Sequence, residues 1–466
     1  MASLIDLDAG ALADGYRARR FDPVDVVGAL DARIAEWEPH IHALYAYDPA
    51  AARADAKASA ARWSAGAPLS ALDGVPVSLK ELIATRGVPT PVGTAATVLK
   101  PEDHDAPPAA RMREAGAIIF AKTTVPDYGM LSSGLSSFHP LARNPWNLAT
   151  NPGGSSAGAA AAAAAGYGPL HVGTDIGGSV RLPAAWCGLV GFKPTLGRIP
   201  IDPYYTGRCA GPMTRTVDDA ARMMAVLSKP DPRDATSLPP EDIDWMSAID
   251  GVHGLRVGVM MDAGCGMTLD GEIDAAVRAA AESFASAGAT LVSIGPVLDR
   301  PILDGIDQYW RARAWAEIGA LPEERQARVL PYILRWAETG AGVTGADAVS
   351  GFGGTFELRR RCAAAFADVD LILSPTTPNL AFPAEYASPL DDPALPFEHI
   401  AFTLPWNMGE QPAVSIHCGF SSAGTPIGLQ IVTPRFADRQ AIELARWYEA
   451  RRGPITTWPT PPAGAV

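Results

Sequence analysis

Apolar positions in the first part of the chain recur at helical spacing. Val26, Val27, Leu30, Ile34 and Trp37 fall on one face, and Pro49–Trp63 is dense in Ala, Arg and Lys, so residues 7–66 are expected to be helical. From about Leu72 the period changes. Short apolar runs bounded by glycine turns predict strands at 75–79, 117–121, 170–173, 189–192, 255–260, 290–294, 371–373, 413–418 and 427–432. Helical stretches at 218–227, 271–287 and 440–451 lie between several of them. This alternation predicts an α/β protein with a central sheet covered by helices. The expected organisation is a helical segment, residues 1–70, packed on an α/β domain of residues 71–466, the whole forming one compact domain. Residues 301–354 are helical and carry Tyr309, Trp310, Trp315 and Trp336. Two readings fit them: a core-packing helical pair, or a cap whose aromatics line a substrate cavity.

Composition narrows the function. At 48% hydrophobic and 19% charged, the 466 residues can bury a sizeable core. The net charge of −13 argues against a nucleic-acid surface, which needs a basic patch. Five cysteines with no Cys-x-x-Cys pair fit a reducing compartment, and the eight scattered histidines assemble no metal shell, so neither metal nor cofactor is expected. The start, Met1-Ala2-Ser3-Leu4-Ile5-Asp6, lacks the basic and apolar blocks of a signal peptide. The uncharged stretch from Asn151 to Thr174 is mostly Ala and Gly, is interrupted by Pro152 and Pro169, and contains His171. A buried helix and strand explain it better than a membrane span. A cytoplasmic location is the expectation.

Three segments carry candidate chemistry. They are Gly74-Val75-Pro76-Val77-Ser78-Leu79-Lys80, Asn151-Pro152-Gly153-Gly154-Ser155-Ser156-Ala157-Gly158, and Gly173-Thr174-Asp175-Ile176-Gly177-Gly178-Ser179-Val180-Arg181. Acyl transfer needs a nucleophile, a base and donors for an oxyanion. A glycine turn such as Ile176–Ser179 lets successive N–H groups point into one concavity. The turn at Ser155 and Ser156 precedes an alanine-rich segment, which places a serine at a helix N-terminus. Lys80 follows an apolar strand. A strand-end lysine ordinarily reaches solvent, but burial lowers a lysine pKa by up to about 3–5 units and leaves a neutral base.

These segments resemble the amidase signature family, serine hydrolases with a Ser–cis-Ser–Lys triad. The resemblance covers most of the chain after about residue 70. It extends through Ala121–Gly129, Arg143–Arg198, Gly211–Ala220, Ser374–Pro378, Gly409–Ser415 and Pro426–Val432. It implies the amidase signature fold, a central mixed sheet with helices on both faces. Ser179 is then the nucleophile, Ser155 the bridge to Lys80 with a cis peptide between Gly154 and Ser155, and Lys80 the base. The N–H groups of Ile176, Gly177, Gly178 and Ser179 form the oxyanion hole. Ser156 braces Lys80 or Ser155. Asp175 and Arg181 support the nucleophile loop, with contact of Arg181 to a substrate carboxylate as the other option. Met130, Leu131, Ser132, Phe138, Tyr204 and Tyr205 are candidate cavity residues, together with the segment from Trp310 to Trp336. Their bias suggests an aryl or alkyl amide as the small-molecule partner, and a homodimer is a reasonable expectation. Two departures from the family pattern appear. Ala157-Gly158 replaces a Gly-Gly pair, and Val92–Ala96 lacks the common Gly-Ser pair where the chain is expected to border the cavity.

Other readings compete with this one. Gly154-Ser155-Ser156-Ala157-Gly158 formally matches a G-x-S-x-G elbow, with His171 or His417 as base, but that leaves the second serine turn unexplained. The glutaminase subunit of a tRNA-dependent amidotransferase shares the triad, although the sequence around Tyr204–Cys209 departs from the pattern expected there. A catalytically dead scaffold is disfavoured by the intact Lys80, Ser155 and Ser179.

Overall fold

The polypeptide builds one mixed sheet. A computed structural model describes residues 3–462. Its strands are β1 (Leu44–Tyr45), β2 (Pro76–Lys80), β3 (Ile118–Thr123), β4 (Leu170–Asp175), β5 (Val190–Lys193), β6 (Cys209–Thr214), β7 (Arg256–Val259), β8 (Thr290–Ser293), β9 (Leu371–Pro375), β10 (Ala413–Phe420) and β11 (Pro426–Val432). Among the described residues their order is β1-β3-β2-β4-β6-β5-β10-β11-β9-β7-β8. Strands β3, β2 and β4 run parallel, as do β9, β7 and β8. The strands between them pair antiparallel.

The predicted strands are present with small shifts at their ends. Two others carry no clear signal in the sequence. β1 has only two residues. β6 contains Gly211 and Pro212, residues that argue against a central strand. Gly211 is required by close approach, because a Cβ there would lie 2.0 Å from the Phe192 carbonyl oxygen.

The sheet is covered by helices whose starts are written in the sequence. Asp22 closes a capping box on the helix Pro23–Ile41. Thr216 and Asp270 accept backbone N–H bonds at the starts of Val217–Leu227 and Gly271–Ala285. Val26, Val27, Leu30, Ile34 and Trp37 are buried in the same cluster as Val77, Leu79, Val172 and Leu429, so the N-terminal helices share the sheet's core. The alanine helix Ala157–Ala165 is buried along its whole length, and small side chains let it lie close to its neighbours. A second cluster gathers Trp310, Trp336, Phe402 and Trp406 with Ile372 and Val432 of the sheet. No helix among the described residues is long and apolar enough to cross a membrane.

Leu429 is fully buried in β11, and Val349 lies 72% exposed on the helix Gly345–Ala364. Leu429→Ala should lower stability by about 2–5 kcal/mol through lost contacts and a residual cavity. Val349→Ala should stay within about 0.5 kcal/mol. Urea unfolding of the two variants beside the parent checks the contrast.

Candidate active site

Lys80 ends β2 and Asp175 ends β4, two neighbouring parallel strands, so both residues emerge at the same edge of the sheet. Carboxyl ends of parallel strands are where open α/β sheets hold ligands. The turn before the alanine helix reaches this edge as well. Lys80 Nζ donates to Ser155 Oγ at 2.8 Å and to the Thr174 carbonyl at 3.2 Å. The peptide between Gly154 and Ser155 is cis. Ser156 Oγ donates to the Thr174 carbonyl at 3.2 Å and accepts from Thr174 N–H at 3.3 Å. Its link to Lys80 therefore runs through the Thr174 peptide, in place of the direct bracing of Lys80 or Ser155 that the family pattern implies.

Lys80 is completely buried. Burial lowers its pKa well below the usual lysine value, and the positive charge of Arg208 lowers it further. Asp175 and Glu81 oppose that shift without cancelling it.

The loop carrying Ser179 is fixed from beneath. Asp175 Oδ1 accepts from Gly178 N–H at 2.7 Å and Oδ2 from Val180 N–H at 3.1 Å. Arg181 grips the same carboxylate through Nε at 3.0 Å and Nη2 at 2.9 Å. Burial alone would raise the Asp175 pKa. The Arg181 charge and hydrogen bonds, with that of Asn407, outweigh burial and hold the carboxyl well below its usual range. Arg181 Nη1 also donates to the Thr403 carbonyl at 3.0 Å and to Gln430 Oε1 at 2.7 Å. Its guanidinium is thus spent inside the protein, which leaves none of it for a substrate carboxylate. Thr403 Oγ1 donates to the Gly177 carbonyl, and Asn407 Nδ2 to both the backbone and side chain of Asp175. Gly178 takes φ +129°, closed to residues with a Cβ.

The Gly178 N–H, expected to face the oxyanion, is committed to Asp175 instead. The N–H groups of Ile176, Gly177 and Ser179 have no protein acceptor among the described residues. The Ser179 carbonyl accepts from Ser156 N–H at 3.3 Å, which brings the two serine turns together. The Ser179 hydroxyl makes no protein hydrogen bond among the described residues, so the direct Ser155–Ser179 contact expected from the triad is open in this state. Catalytic hydrogen bonds often tighten only once substrate is bound.

Met130, Leu131 and Ser132 line a niche of about 30 Å³ at Ser179, together with Ile176, Gly177, Trp310, Phe397 and Ile400. Met130, Ile176 and Trp310 also line a larger cavity of about 370 Å³, along with Leu82, Val92, Tyr128, Tyr205, Arg208, Arg313, Ile333 and Trp336. Val92 lies in the wall of this cavity, and Trp310 and Trp336 both line it and are buried in the second core cluster, so the segment packs the core as well as bordering the cavity. Two candidates fall elsewhere. Phe138 packs edge-on against Tyr45 and His139, at 5.8 and 4.9 Å between ring centroids. Tyr204 is 46% exposed in the turn after the cis Asp202–Pro203 bond. Tyr205, its neighbour, takes the inward place.

Several residues gave no sequence signal for their roles. Thr403 and Asn407 lie far along the chain and meet the loop only in space. Gln430 lies within a segment that follows the family pattern, but nothing in its spacing marked it as a brace. Glu81, next to Lys80, is buried and holds the cavity-bordering segment by accepting from Val92 N–H at 3.0 Å and Gly93 N–H at 2.7 Å. Asp127 Oδ2 accepts from Leu330 N–H at 2.9 Å, tying the segment before Met130 to the start of the aromatic cap helix Pro331–Glu338.

The G-x-S-x-G reading is overturned. His171 pairs with Ser78 at 2.7 Å and with the Gly168 carbonyl at 3.1 Å, away from Ser155 and Ser156. Burial lowers its pKa to about 3 and does the same to His417. No cluster of three metal-ligating side chains occurs among the described residues.

Comparison with known proteins supplies the family. The Amidase family model matches residues 25–442. The chain is 35% identical over 468 residues, 94% of each chain, to a glutamyl-tRNA(Gln) amidotransferase subunit of Roseiflexus sp. strain RS-1. Among solved structures, a bacterial aryl acylamidase of the amidase signature family superposes with a TM-score of 0.90 at 26% identity, covering 98% of both chains. The corresponding glutamyl-tRNA(Gln) amidotransferase subunit of Thermotoga maritima superposes with a TM-score of 0.77 at 27% identity, covering 95% of both.

Arg181→Met would leave the Asp175 carboxylate buried without its cation. The expected cost is about 3–5 kcal/mol of stability, read as a lowered thermal midpoint. A midpoint equal to the parent's would show that the pair does not hold the loop.

Proposed function

The chain belongs to the amidase family, enzymes that act on amide C–N bonds, and from this premise we propose that it hydrolyses a carboxylic amide through an acyl group carried on Ser179. The observation that carries the reading is the 2.8 Å contact between buried Lys80 and Ser155 beside the Ser179 turn. With Lys80 neutral, the Ser155 hydroxyl donates to the amine lone pair, while an amine hydrogen stays on the Thr174 carbonyl. Ser155 then accepts the Ser179 proton as Ser179 Oγ attacks the amide carbon. The carbonyl oxygen gains negative charge and is met by the N–H groups of Ile176, Gly177 and Ser179. Each such donor is worth about 3–4 kcal/mol in the transition state. Return of the proton along the same path lets the amine or ammonia leave. Water, deprotonated by the same relay, releases the acid.

The cavity favours an aryl or alkyl acyl or amine part, because Leu82, Met130, Ile176, Trp310, Ile333 and Trp336 form its walls. Burying such a group stabilises the complex by roughly 25 cal/mol per Å². A second reading has specific support in the 35% identity to the glutamyl-tRNA(Gln) amidotransferase subunit of Roseiflexus. In it, the amide is glutamine and the released ammonia passes to a partner protein. Assay of the purified chain on aliphatic amides, aromatic amides, anilides and glutamine separates the two. Turnover of anilides or aromatic amides by the chain alone supports the first reading. Hydrolysis confined to glutamine transfers the assignment to the second.

Ser179→Ala should abolish turnover. Near-normal activity of that variant would remove Ser179 as nucleophile. Lys80→Ala should slow amides more than activated esters, because an amine leaving group needs the returned proton and an activated alkoxide does not.

The lowered pKa of Lys80 sets the pH dependence. Its neutral form is the base, so kcat/KM should rise with pH through that lowered pKa and level off above it, well before the usual lysine range. A profile falling steadily from pH 6 to pH 9 would contradict a lysine base.

A further inference from the structure

Two arginines face the large cavity without a carboxylate partner. Arg208 is buried, and its Nη1 donates to the Pro203 carbonyl. Arg313 lies half-buried on the helix Arg300–Ile318 and makes no protein hydrogen bond among the described residues. Both guanidiniums lie against one ring, Tyr205, at 5.0 and 3.8 Å from its centroid. Neither comes within 4.0 Å of an acidic oxygen among the described residues, whereas most other arginines near the core do. Two like charges gathered on one ring repel each other, and a partly dehydrated cation without an acid is costly. Stacking on tyrosine offsets part of that cost.

Position gives the pair a use. Arg208 immediately precedes Cys209, which pairs with Asp175 across β4 and β6. The cation therefore stands beside Ile176, at the edge of the nucleophile loop, and both residues line the same cavity. Arg313 is one turn beyond Trp310, which walls both the Ser179 niche and the larger cavity. Glu102, Asp202 and Glu317 also border the cavity but pair with neither guanidinium. Glu317 is exposed and Asp202 lies 3.8 Å from His104, so these two acids are hydrated or otherwise engaged, while Glu102 is half-buried.

From this arrangement we infer that Arg208 and Arg313 form an anion subsite that recognises a carboxylate on the substrate, separated from the scissile amide by an apolar spacer. The inference deepens the amide-hydrolase reading and rests on the large cavity being the substrate site. The apolar spacer occupies the walls formed by Met130, Trp310 and Trp336. The carboxylate lies at the Tyr205 side of the cavity, within reach of the guanidiniums gathered there, where a planar fork can donate two parallel bonds.

Calorimetric titration of the full chain with phenylbutyrate and with its neutral counterpart phenylbutanol tests the subsite. The parent protein should bind the carboxylate at least about tenfold tighter than the alcohol, the effect of one good hydrogen bond to a charged group. Arg313→Gln should close that gap while leaving phenylbutanol affinity unchanged, and Arg208→Gln should act in the same direction. Arg313 is half-buried and unbonded, so its variant is expected to fold, which circular dichroism verifies. Equal affinities in the parent, a gap that survives in the Arg313 variant, or no binding of either compound would each overturn the subsite. Neither probe contains an amide. Failure here therefore leaves hydrolysis standing, and a chain inert on the amide panel would sink hydrolysis without altering these titrations.

Discussion

The buried pair of Asp175 and Arg181 organises everything around the loop that carries Ser179. One carboxylate takes three backbone N–H groups, those of Gly178, Val180 and Arg181, and two guanidinium donors, and the guanidinium continues to Thr403 and Gln430. A buried ion pair is weak evidence for stability, because desolvation consumes most of its attraction. Its value lies in geometry. The end of β4, the start of the following helix, the 403–407 segment and β11 are all referred to one charge. Ser179 projects from a turn with little freedom to relax.

A second constraint comes from the opposite effect of burial. At Asp175 the opposite charge outweighs burial and holds the carboxyl well below its usual range, while at Lys80 burial outweighs the nearby acids and lowers the amine pKa well below the usual lysine value. The two residues end neighbouring strands, yet the contrast follows from one difference: Asp175 has a buried cation in contact, whereas Lys80 is bonded to a hydroxyl and a carbonyl. Pairs of groups driven to different protonation states by their surroundings are a recurrent mark of acid–base sites. Arg208 contributes to both sides of this arrangement, since it opposes protonation of Lys80 and faces the cavity.

The cavity joins parts of the chain that are far apart in sequence. Its aromatic roof comes from residues 310–336, its floor from the segment around Met130 and the loop at Ile176, and its rim from the turn at Tyr205. Asp127 and Glu81 hold the intervening segments by accepting backbone N–H bonds from Leu330, Val92 and Gly93. Ile176, in the turn that carries Ser179, thus lines the same cavity as walls drawn from distant parts of the chain.

Sequence by itself determined the elements and the candidate reacting side chains. Periodicity located nearly all strands, and the glycine turns singled out Ser155 and Ser179, because tight turns need glycine wherever they occur. Lys80 ends an apolar strand, where a lysine ordinarily reaches solvent, and it was set apart by the two serine turns and the family resemblance. What those local rules could not reach was everything that depends on partners brought close by folding. β6 was hidden by Gly211 and Pro212, which look like a turn until Phe192 is placed against them. Tyr205 and not Tyr204 faces inward, Phe138 turns to Tyr45 and His139, and Gly178 N–H is drawn to Asp175. Each of these outcomes is fixed by contacts between residues distant in the chain. A side chain's direction and the partner of a backbone N–H depend on the neighbours that packing supplies, and only the tertiary structure supplies them.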